Sequence, residues 1–490
     1  MSTLAQWVLQ RTDHGEGDAA LCICMKHGPP ASLDDPHGPG HFPLKDDFTV
    51  TRLSIDPSTT ELPKPPGQIN ATQTEAVLAK AHASLQQWKK TSAAQRAEIV
   101  HKAAALMLAH ADDYARLVTR EMRRHIGEAR GEVRLSADIL AYHARQAEAF
   151  PDPANLYPRY GAAFLQGSPL GVLFCGEPWH FPFYQLARIA GPQLMAGHTV
   201  IVKHAGYVPA CAIAFEKLWA EAGAPAGVYT NLVVSHERSD QAINGSHLQG
   251  LGSDGRPTAM AGTAACQGGG LKKGALELGG SDAFIVLDDA DLAQAMPWAV
   301  HGRMYPPGQS GAAARRFIVV ESVADAFLEG FKAELKGMTI GGRTDARSTR
   351  GPLSAEAVLV RLLAQVDAAL QAGAGRALDG WRIAGPGPFM LTTILTDIQP
   401  GEPAFRDDLF GPMLSFHRVK NDAAATALAL CADSSLGGSV WTEDEARGQR
   451  VARAVEAAMV FAEPITSRCG SLPDATTRDA ATPRMPHVRI

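Results

Sequence analysis

Apolar residues recur at three- and four-residue spacing from Thr74 to about Gln146. This spacing puts them on one face of a helix, as in TEAVLAKAHASLQQW and SAAQRAEIVHKAAALMLAHADDYARLVTREM. Ser92 stands just before the second stretch, where a helix N-cap is expected. The segment is therefore predicted to form a layer of helices over a sheet.

The pattern changes at about Gly161, where short apolar runs begin to alternate with helical ones. The strand-like runs PLGVLFCG, HTVIVKHA and VYTNLVV are separated by the helix-like runs FYQLARIAGPQLMAG and ACAIAFEKLWAEAGAP. This order predicts a parallel sheet with right-handed crossover helices. Because ligands bind at the carboxyl ends of such strands, the residues that follow them are candidate site residues.

A second round of alternation follows. The run ALELGGSDAFIVL is predicted to be a strand, followed by a helix from Asp289, the strand RRFIVV and a long helix from Val323. After a glycine-rich stretch come TTILTDI and FGPMLSFHRV, another helix, and GGSVWTED. The order predicts a second α/β unit, and the chain shows no internal repeat.

Composition narrows the class of protein. A length of 490 residues predicts two or three domains. Acidic residues number 51 against 46 basic ones, which argues against a broad nucleic-acid surface. No apolar run approaches the ~18 residues of a membrane span, and the N-terminus lacks a signal-peptide pattern. Seven scattered cysteines favour a reducing cytoplasm over a disulfide framework.

The first 48 residues differ from the rest. They are rich in Pro, Gly, His and Asp, so a flexible N-terminal extension is predicted over residues 1–48. Cys22, Cys24 and His27 are metal-ligand residue types within it. One such cluster without a second pair is a weak signal, so incidental placement is favoured and no metal is expected.

Five stretches of the chain carry a family resemblance. They are PLGVLFCGEPWHFPFYQ, LMAGHTVIVKHAGYVP, LKKGALELGGSDAFIVLDDADL, GQSGAAARRFIV and PAFRDDLFGP. Any one stretch alone would be a weak signal, but together, over about residues 50–462, they resemble the aldehyde dehydrogenase superfamily in its order and spacing. Within the superfamily they are most similar to the bacterial NAD(P)-dependent succinate-semialdehyde dehydrogenase type.

The resemblance implies an aldehyde-dehydrogenase-like α/β fold. A Rossmann-type dinucleotide-binding domain is expected over 49–280 and an α/β catalytic-type domain over 281–462. A small oligomerisation flap is expected from the hairpin at 151–168 and a C-terminal strand. Residues 463–490 are expected to form a shortened C-terminal segment, because nothing there resembles the glycine-rich closing loop of the family.

The resemblance also implies a mechanism, but this sequence contains only some of the residues that the mechanism needs. In the family a cysteine thiolate attacks the aldehyde, hydride passes to the nicotinamide, and a glutamate activates water to hydrolyse the thioester. Glu277 stands at the glutamate position. Gly311 stands at the position of the cysteine, and His180 replaces the asparagine that holds the oxyanion.

Two other residues could be considered as nucleophiles. Ser310 is adjacent to Gly311, but an unactivated serine is a poor nucleophile at neutral pH. Cys175 falls in a predicted strand, where a buried structural cysteine is the favoured interpretation.

The cofactor implied by the resemblance is NAD or NADP. Lys203 matches the lysine that contacts the adenosine ribose, and Gly206 offers no carboxylate that would repel a 2′-phosphate. Ser253, in the predicted turn LQGLGSDGRP, matches a serine at a helix N-terminus that faces the pyrophosphate. Asp408 replaces the usual glutamate on the nicotinamide ribose. Trp179 and Phe410 are expected to lie on either side of the nicotinamide. Plain core packing is the alternative interpretation for each of them.

Three functional interpretations remain open. The first is a catalytically impaired family member with a structural or regulatory role, as a homo-oligomer or assembled with an active homologue. The second is an active NAD(P)-dependent aldehyde or semialdehyde oxidoreductase with a rearranged site. The third is a drifted gene product that folds but does little. Loss of both the cysteine and the asparagine favours the first or third.

Overall fold

A computed structural model describes the greater part of the chain. It covers residues 69–146, 154–156, 163–255, 268, 270, 272–278, 280–304, 308–310, 313–341, 348–378, 380–385, 387–405, 407–432, 437–457, 459–463 and 487–489. The predicted extension over residues 1–48, with its Cys22, Cys24 and His27, lies outside these residues.

Helices open the described part of the chain. They are Ala71–Trp88 (α1), Ala93–Ala109 (α2), Ala111–Met122 (α3) and Ile126–Arg145 (α4). Ser92 caps α2: its hydroxyl accepts from the Gln95 N–H, and the Gln95 side chain accepts from the Ser92 N–H. Buried residues of α2 and α4, such as Val100 and Leu140, belong to one core. The predicted helical layer and N-cap are confirmed.

A small antiparallel sheet follows in the chain. Its strands are Ala154–Leu156 (β1) and Ala163–Ser168 (β2), and β2 also pairs with the strand His487–Arg489. These strands fall in the segment 151–168 and near the C-terminus, where the oligomerisation flap is predicted. Its role in assembly stays a prediction.

The first large sheet is parallel, in the order β5-β4-β3-β6-β7. Its strands are Val172–Glu177 (β3), Thr199–His204 (β4), Tyr229–Asn231 (β5), Leu248–Gly255 (β6) and Lys273–Leu278 (β7). The connecting helices include Pro182–Met195 (α5), Pro209–Ala222 (α6) and His236–Asn244 (α7). β3 and β4 are buried along most of their length, as expected for strands covered on both faces.

The second large sheet has the order β10-β11-β12-β9-β8-β13-β14, with only β10 antiparallel to its neighbour. Its strands are Asp282–Val286 (β8), Ala314–Val320 (β9), Gly375–Leu378 (β10), Thr393–Thr396 (β11), Met413–Val419 (β12), Gly437–Trp441 (β13) and Met459–Glu463 (β14). The helices are Leu292–Met304 (α8), Glu321–Gly337 (α9), Glu356–Gln371 (α10), Asp422–Ala429 (α11) and Glu445–Ala454 (α12).

Three sequence predictions need correction. The run ALELGGSDAFIVL is not one strand: it is divided between β7, which ends at Leu278, and β8, which begins at Asp282 in a different sheet. The helix predicted from Asp289 begins at Leu292, because the Asp291 carboxylate accepts hydrogen bonds from the Ala293 and Gln294 N–H groups. The helix predicted from Val323 begins two residues earlier.

No helix among the described residues is both long and apolar enough to span a membrane.

Candidate active site

The rings of Trp179, His180 and Phe410 contact one another edge to face. The Phe410 ring centroid lies 5.8 Å from that of Trp179 and 5.7 Å from that of His180, both edge to face. Trp179 and His180 follow β3 at the carboxyl end of the first sheet, whereas Phe410 precedes β12 in the second. Folding thus brings together three residues that the sequence singled out.

His180 carries a neutral imidazole. Burial is the main reason why its pKa falls to about 3. Positive charges on Arg124, Arg315 and Arg188 lower the pKa further. At neutral pH the ring therefore has one nitrogen that can donate a hydrogen bond and one that can accept.

Asp408 forms an ion pair with Arg315, a buried residue of β9. The Arg315 Nε lies 2.7 Å from the Asp408 Oδ1. The guanidinium also donates to the Ser310 carbonyl at 2.9 Å, and its carbon lies 5.9 Å from the Phe410 ring centroid. The Asp408 side chain remains 41% exposed, which leaves part of the carboxylate accessible to a ligand.

Arg303, on α8, fixes the backbone of the loop 408–411. It is fully buried, and its Nη1 donates to the Ala314 carbonyl at 3.0 Å. Its Nη2 donates to the carbonyls of Leu409, at 2.6 Å, and Gly411. Burial holds its pKa well below the ordinary arginine value. Sequence reasoning missed this residue, because an arginine in a helix is normally a solvent-facing side chain.

Gly308, Gln309 and Ser310 form the turn that precedes β9. The Gln309 amide donates to the Ser354 hydroxyl at 3.1 Å, and its oxygen accepts from the Ser354 N–H at 3.2 Å. Gly308 has a φ of +63°, and an added Cβ would lie 2.0 Å from the Gly411 carbonyl oxygen. The turn is therefore locked against the loop that carries Phe410.

We expect Gly308→Ala to destabilise the protein by about 2 kcal/mol or more, because it combines a strained backbone with a backbone collision. Gly223→Ala is the matched control, since Gly223 also has a positive φ of +98° but no atom within 4 Å of an added Cβ. Chemical denaturation of both variants measures the difference. Equal destabilisation would contradict the tight approach of the two loops.

Lys203 and Gly206 lie at and just beyond the end of β4. Lys203 is half-buried, and burial lowers the pKa of its ammonium group to about 8, although the charge of Asp240 opposes this shift. An added Cβ at Gly206 would meet nothing within 4 Å. The carboxyl end of β4 thus offers one cation beside open space, which suits a phosphate.

Ser253 lies inside a strand, and not in the turn that the sequence predicted. It belongs to β6, where its hydroxyl donates to the Gly176 carbonyl at 3.2 Å. The preference of these residues for a turn is overridden because β6 pairs with β3 on one side and with β7 on the other. The segment 256–267, where the predicted helix N-terminus would fall, lies outside the described residues.

A sequence model of the "Aldehyde dehydrogenase family" matches residues 48–468. The chain belongs to the aldehyde dehydrogenase family. The fold class and the family predicted from the sequence are confirmed.

Similar proteins with the family fold carry related names. Succinate-semialdehyde dehydrogenase [NADP(+)] of Deinococcus radiodurans is 38% identical over 86% of this chain and 88% of its own length. Succinate-semialdehyde dehydrogenase [NADP(+)] 1 of Mycobacterium ulcerans is 36% identical over 86% and 93%. The solved structure of succinic semialdehyde dehydrogenase from Streptococcus pyogenes with NADP+ is 33% identical over 82% and 89%, with a TM-score of 0.80.

Of the positions assigned to the base and the nucleophile, the structure describes only the backbone of Glu277. Glu277 lies in β7, where its backbone is paired with Asp254. The Glu277 side chain and the residue Gly311 lie outside the described part of the structure. Their assignment to the base and nucleophile positions of the aldehyde dehydrogenase family therefore stays a prediction.

The cysteines that the structure describes are Cys175, Cys211 and Cys431. Cys175 is buried in β3, and burial raises the pKa of its thiol, as it does for Cys211 on α6. The prediction of a structural strand cysteine is confirmed. A buried thiol with a raised pKa is a poor nucleophile. Among the described residues, no group of three or more His, Cys, Asp or Glu side chains could hold a metal.

Proposed function

We propose that this chain is an aldehyde dehydrogenase family protein that binds NADP(H) but does not oxidise aldehydes through a covalent intermediate. The observation that carries the proposal is the residue after the Gly308-Gln309-Ser310 turn. Gly311 has no side chain with which to form a hemithioacetal. The surrounding positions are built into a packed site, which favours a binding or regulatory role over a drifted protein.

The residues at the end of the first sheet fit a nicotinamide dinucleotide. Lys203 supplies a cation beside the open space at Gly206, which suits the phosphate on the adenosine ribose. The ring cluster of Trp179 and Phe410 supplies apolar surface for the nicotinamide end. Asp408, with its partly exposed carboxylate, is proposed to meet the nicotinamide ribose. When bound, the cofactor supplies a hydride acceptor.

The second ligand is proposed to be an aldehyde that also carries a carboxylate. Although Arg124 and Arg315 are paired with carboxylates, the positive charges of these two residues and of Arg188 still lower the pKa of His180, and an anionic aldehyde would be drawn to them. The neutral imidazole of His180 can donate one hydrogen bond to a carbonyl oxygen. The names of the similar proteins, succinate-semialdehyde dehydrogenases, are consistent with this ligand class.

An active oxidoreductase with a rearranged site is the second candidate. It is favoured by the ordered contacts around the site. The Gln309 amide donates to the Ser354 hydroxyl, Arg303 donates to the Gly411 carbonyl, and the rings of Trp179 and Phe410 pack edge to face. In that case another group would have to replace the missing cysteine, and Ser310 is the nearest hydroxyl in sequence.

The experiment that separates the two candidates is a titration with NADP+ and NAD+ beside an assay of succinate semialdehyde oxidation. Binding without turnover supports the proposed function. Turnover favours the rearranged enzyme, and the absence of both binding and turnover would contradict both.

The cofactor assignment predicts the effect of a charge at Gly206. We expect Gly206→Glu to weaken NADP+ binding by about tenfold or more while NAD+ binding changes little. The added carboxylate fits the open space and repels the 2′-phosphate, and the tenfold loss corresponds to about 1.4 kcal/mol. Gly206→Gln, of equal size without the charge, is the control. Fluorescence titration measures both dissociation constants, and equal losses for the two cofactors would contradict the assignment.

A further inference from the structure

Arg124 reaches from the turn between α3 and α4 to the backbone of the candidate site. Its Nη2 donates to the His180 carbonyl, and its Nη1 donates to the Glu132 carboxylate. Its guanidinium carbon lies 4.3 Å from the centre of the Phe181 ring. The side chains of Arg124 and Glu132 are 3% and 0% exposed. Two separate contacts thus join this buried side chain to the turn that carries His180, and a third joins it to Glu132 on α4.

Glu132, on α4, holds the same turn from its other end. Its Oε1 accepts from the backbone N–H groups of Phe183 at 2.8 Å and Tyr184 at 3.2 Å. These are N–H groups of the first turn of α5, where a carboxylate is favoured by the helix dipole. The Arg124–Glu132 pair is therefore hydrogen-bonded to the segment 180–184 at both of its ends.

The α3–α4 turn also touches the second half of the site. An added Cβ at Gly351 would lie 3.3 Å from the Arg123 carbonyl oxygen and 3.7 Å from the His125 nitrogen. Gly351 lies three residues before Ser354, which exchanges two hydrogen bonds with Gln309. One turn thus contacts the His180 segment directly and the Gln309 turn through a single intervening loop.

We propose that Arg124 and Glu132 are positioning residues that set His180 against Phe410 and keep the two halves of the site in register. The inference rests on the proposed function, because it takes the ring cluster at His180 as the place where NADP(H) and the ligand meet. A buried ion pair seldom stabilises a fold more than well-packed apolar side chains would. The contacts of the Arg124–Glu132 pair to the His180 turn instead suit a role in placing His180.

Three variants test the role of the pair. Arg124→Met removes the charge and both donors at similar side-chain length. Arg124→Lys keeps the charge and can still donate to the carboxylate and the carbonyl. Arg130→Met is the matched control, since Arg130 lies on α4 in an exposed ion pair with Asp112 at 2.8 Å. If Arg124→Met alone fails to fold, the double variant Arg124→Met/Glu132→Gln also removes the charge of the carboxylate that Arg124 pairs with.

The first readout is the ring signal of His180 at neutral pH, followed by NMR of protein labelled at its histidine ring carbons. The His180 signal is assigned by its loss in His180→Asn. We expect this signal to shift in Arg124→Met, because the ring currents of Trp179 and Phe410 depend on where the His180 ring lies. The signal should return most of the way in Arg124→Lys and stay unchanged in Arg130→Met.

The second readout is the dissociation constant for NADPH, from fluorescence titration. We expect binding to weaken about tenfold in Arg124→Met and to recover in Arg124→Lys. A folded Arg124→Met or double variant with the His180 ring signal and the NADPH affinity of the wild type would overturn the inference. If the wild type itself does not bind NADPH, the proposed function fails, whereas the His180 ring signal still decides whether Arg124 positions the turn.

Discussion

Restoring the thiol through Gly311→Cys is expected to leave aldehyde oxidation about 10²–10³-fold below that of an intact family site. The new thiol could attack the aldehyde, and the backbone N–H at position 311 is already present. His180 would still occupy the place of the amide that holds the developing oxyanion. An imidazole N–H donates with a different reach and tautomer, so we expect a cost like that of losing one such donor, which is typically about this factor. The variant tests whether only the nucleophile is missing.

The double variant Gly311→Cys/His180→Asn should therefore oxidise the aldehyde faster than the product of the two single effects on the rate would give, because both residues act on one intermediate. Steady-state NADPH formation from succinate semialdehyde measures all variants. Gly311→Ala with His180→Asn is the control, since it restores the amide without a thiol and should remain inactive. Full activity from Gly311→Cys alone would show that His180 already serves as an adequate donor.

The second large effect concerns stability in acid. His417, on β12, is buried beside Arg316, and burial with that charge lowers its pKa to about 4. Its Nε2 has no hydrogen-bond partner among the described residues, and its ring packs edge-on against Phe405 at 6.1 Å. An unfolded histidine titrates near 6.5. Between these values the unfolded chain binds the extra proton, so His417 destabilises the fold as the pH falls through this range.

We expect His417→Phe to gain stability relative to the wild type as the pH falls from about 7 to 4, by about 3 kcal/mol in all. The comparison at each pH cancels the titration of every other group. Arg316 remains in both proteins and keeps its bonds to the Ser281 carbonyl. Urea denaturation at a series of pH values measures the difference. A difference that does not change with pH would mean that His417 is protonated in the folded state or accessible to water.

The sequence was sufficient for the parts of the fold with a clear hydrophobic period. The helices from Ala71 to Arg145 and the strands β3 and β4 follow directly from apolar spacing. The turn predicted at LQGLGSDG was wrong. The segment has the composition of a turn, but it forms the strand β6 because it pairs with β3 and β7. The single strand predicted across β7 and β8 was also wrong, because an apolar run does not reveal a change of sheet.

The candidate site was predictable only where a motif marks it. Trp179, His180 and Phe410 were found from the family's stretches, and the structure brings their rings together. Their supports, Arg124, Arg303 and Arg315, were missed because each is buried through contacts with residues far away in the sequence. Only the folded chain shows that these guanidinium groups set the backbone and the charge around His180.

The most direct test of the central claim is NADPH formation by freshly purified protein with succinate semialdehyde and NADP+ in excess. The account predicts that NADP+ binds and that the rate does not exceed that of the reaction without protein, because Gly311 offers no nucleophile. Steady NADPH formation that is abolished by Glu277→Gln would contradict it, since the family's base would then be at work in an active site.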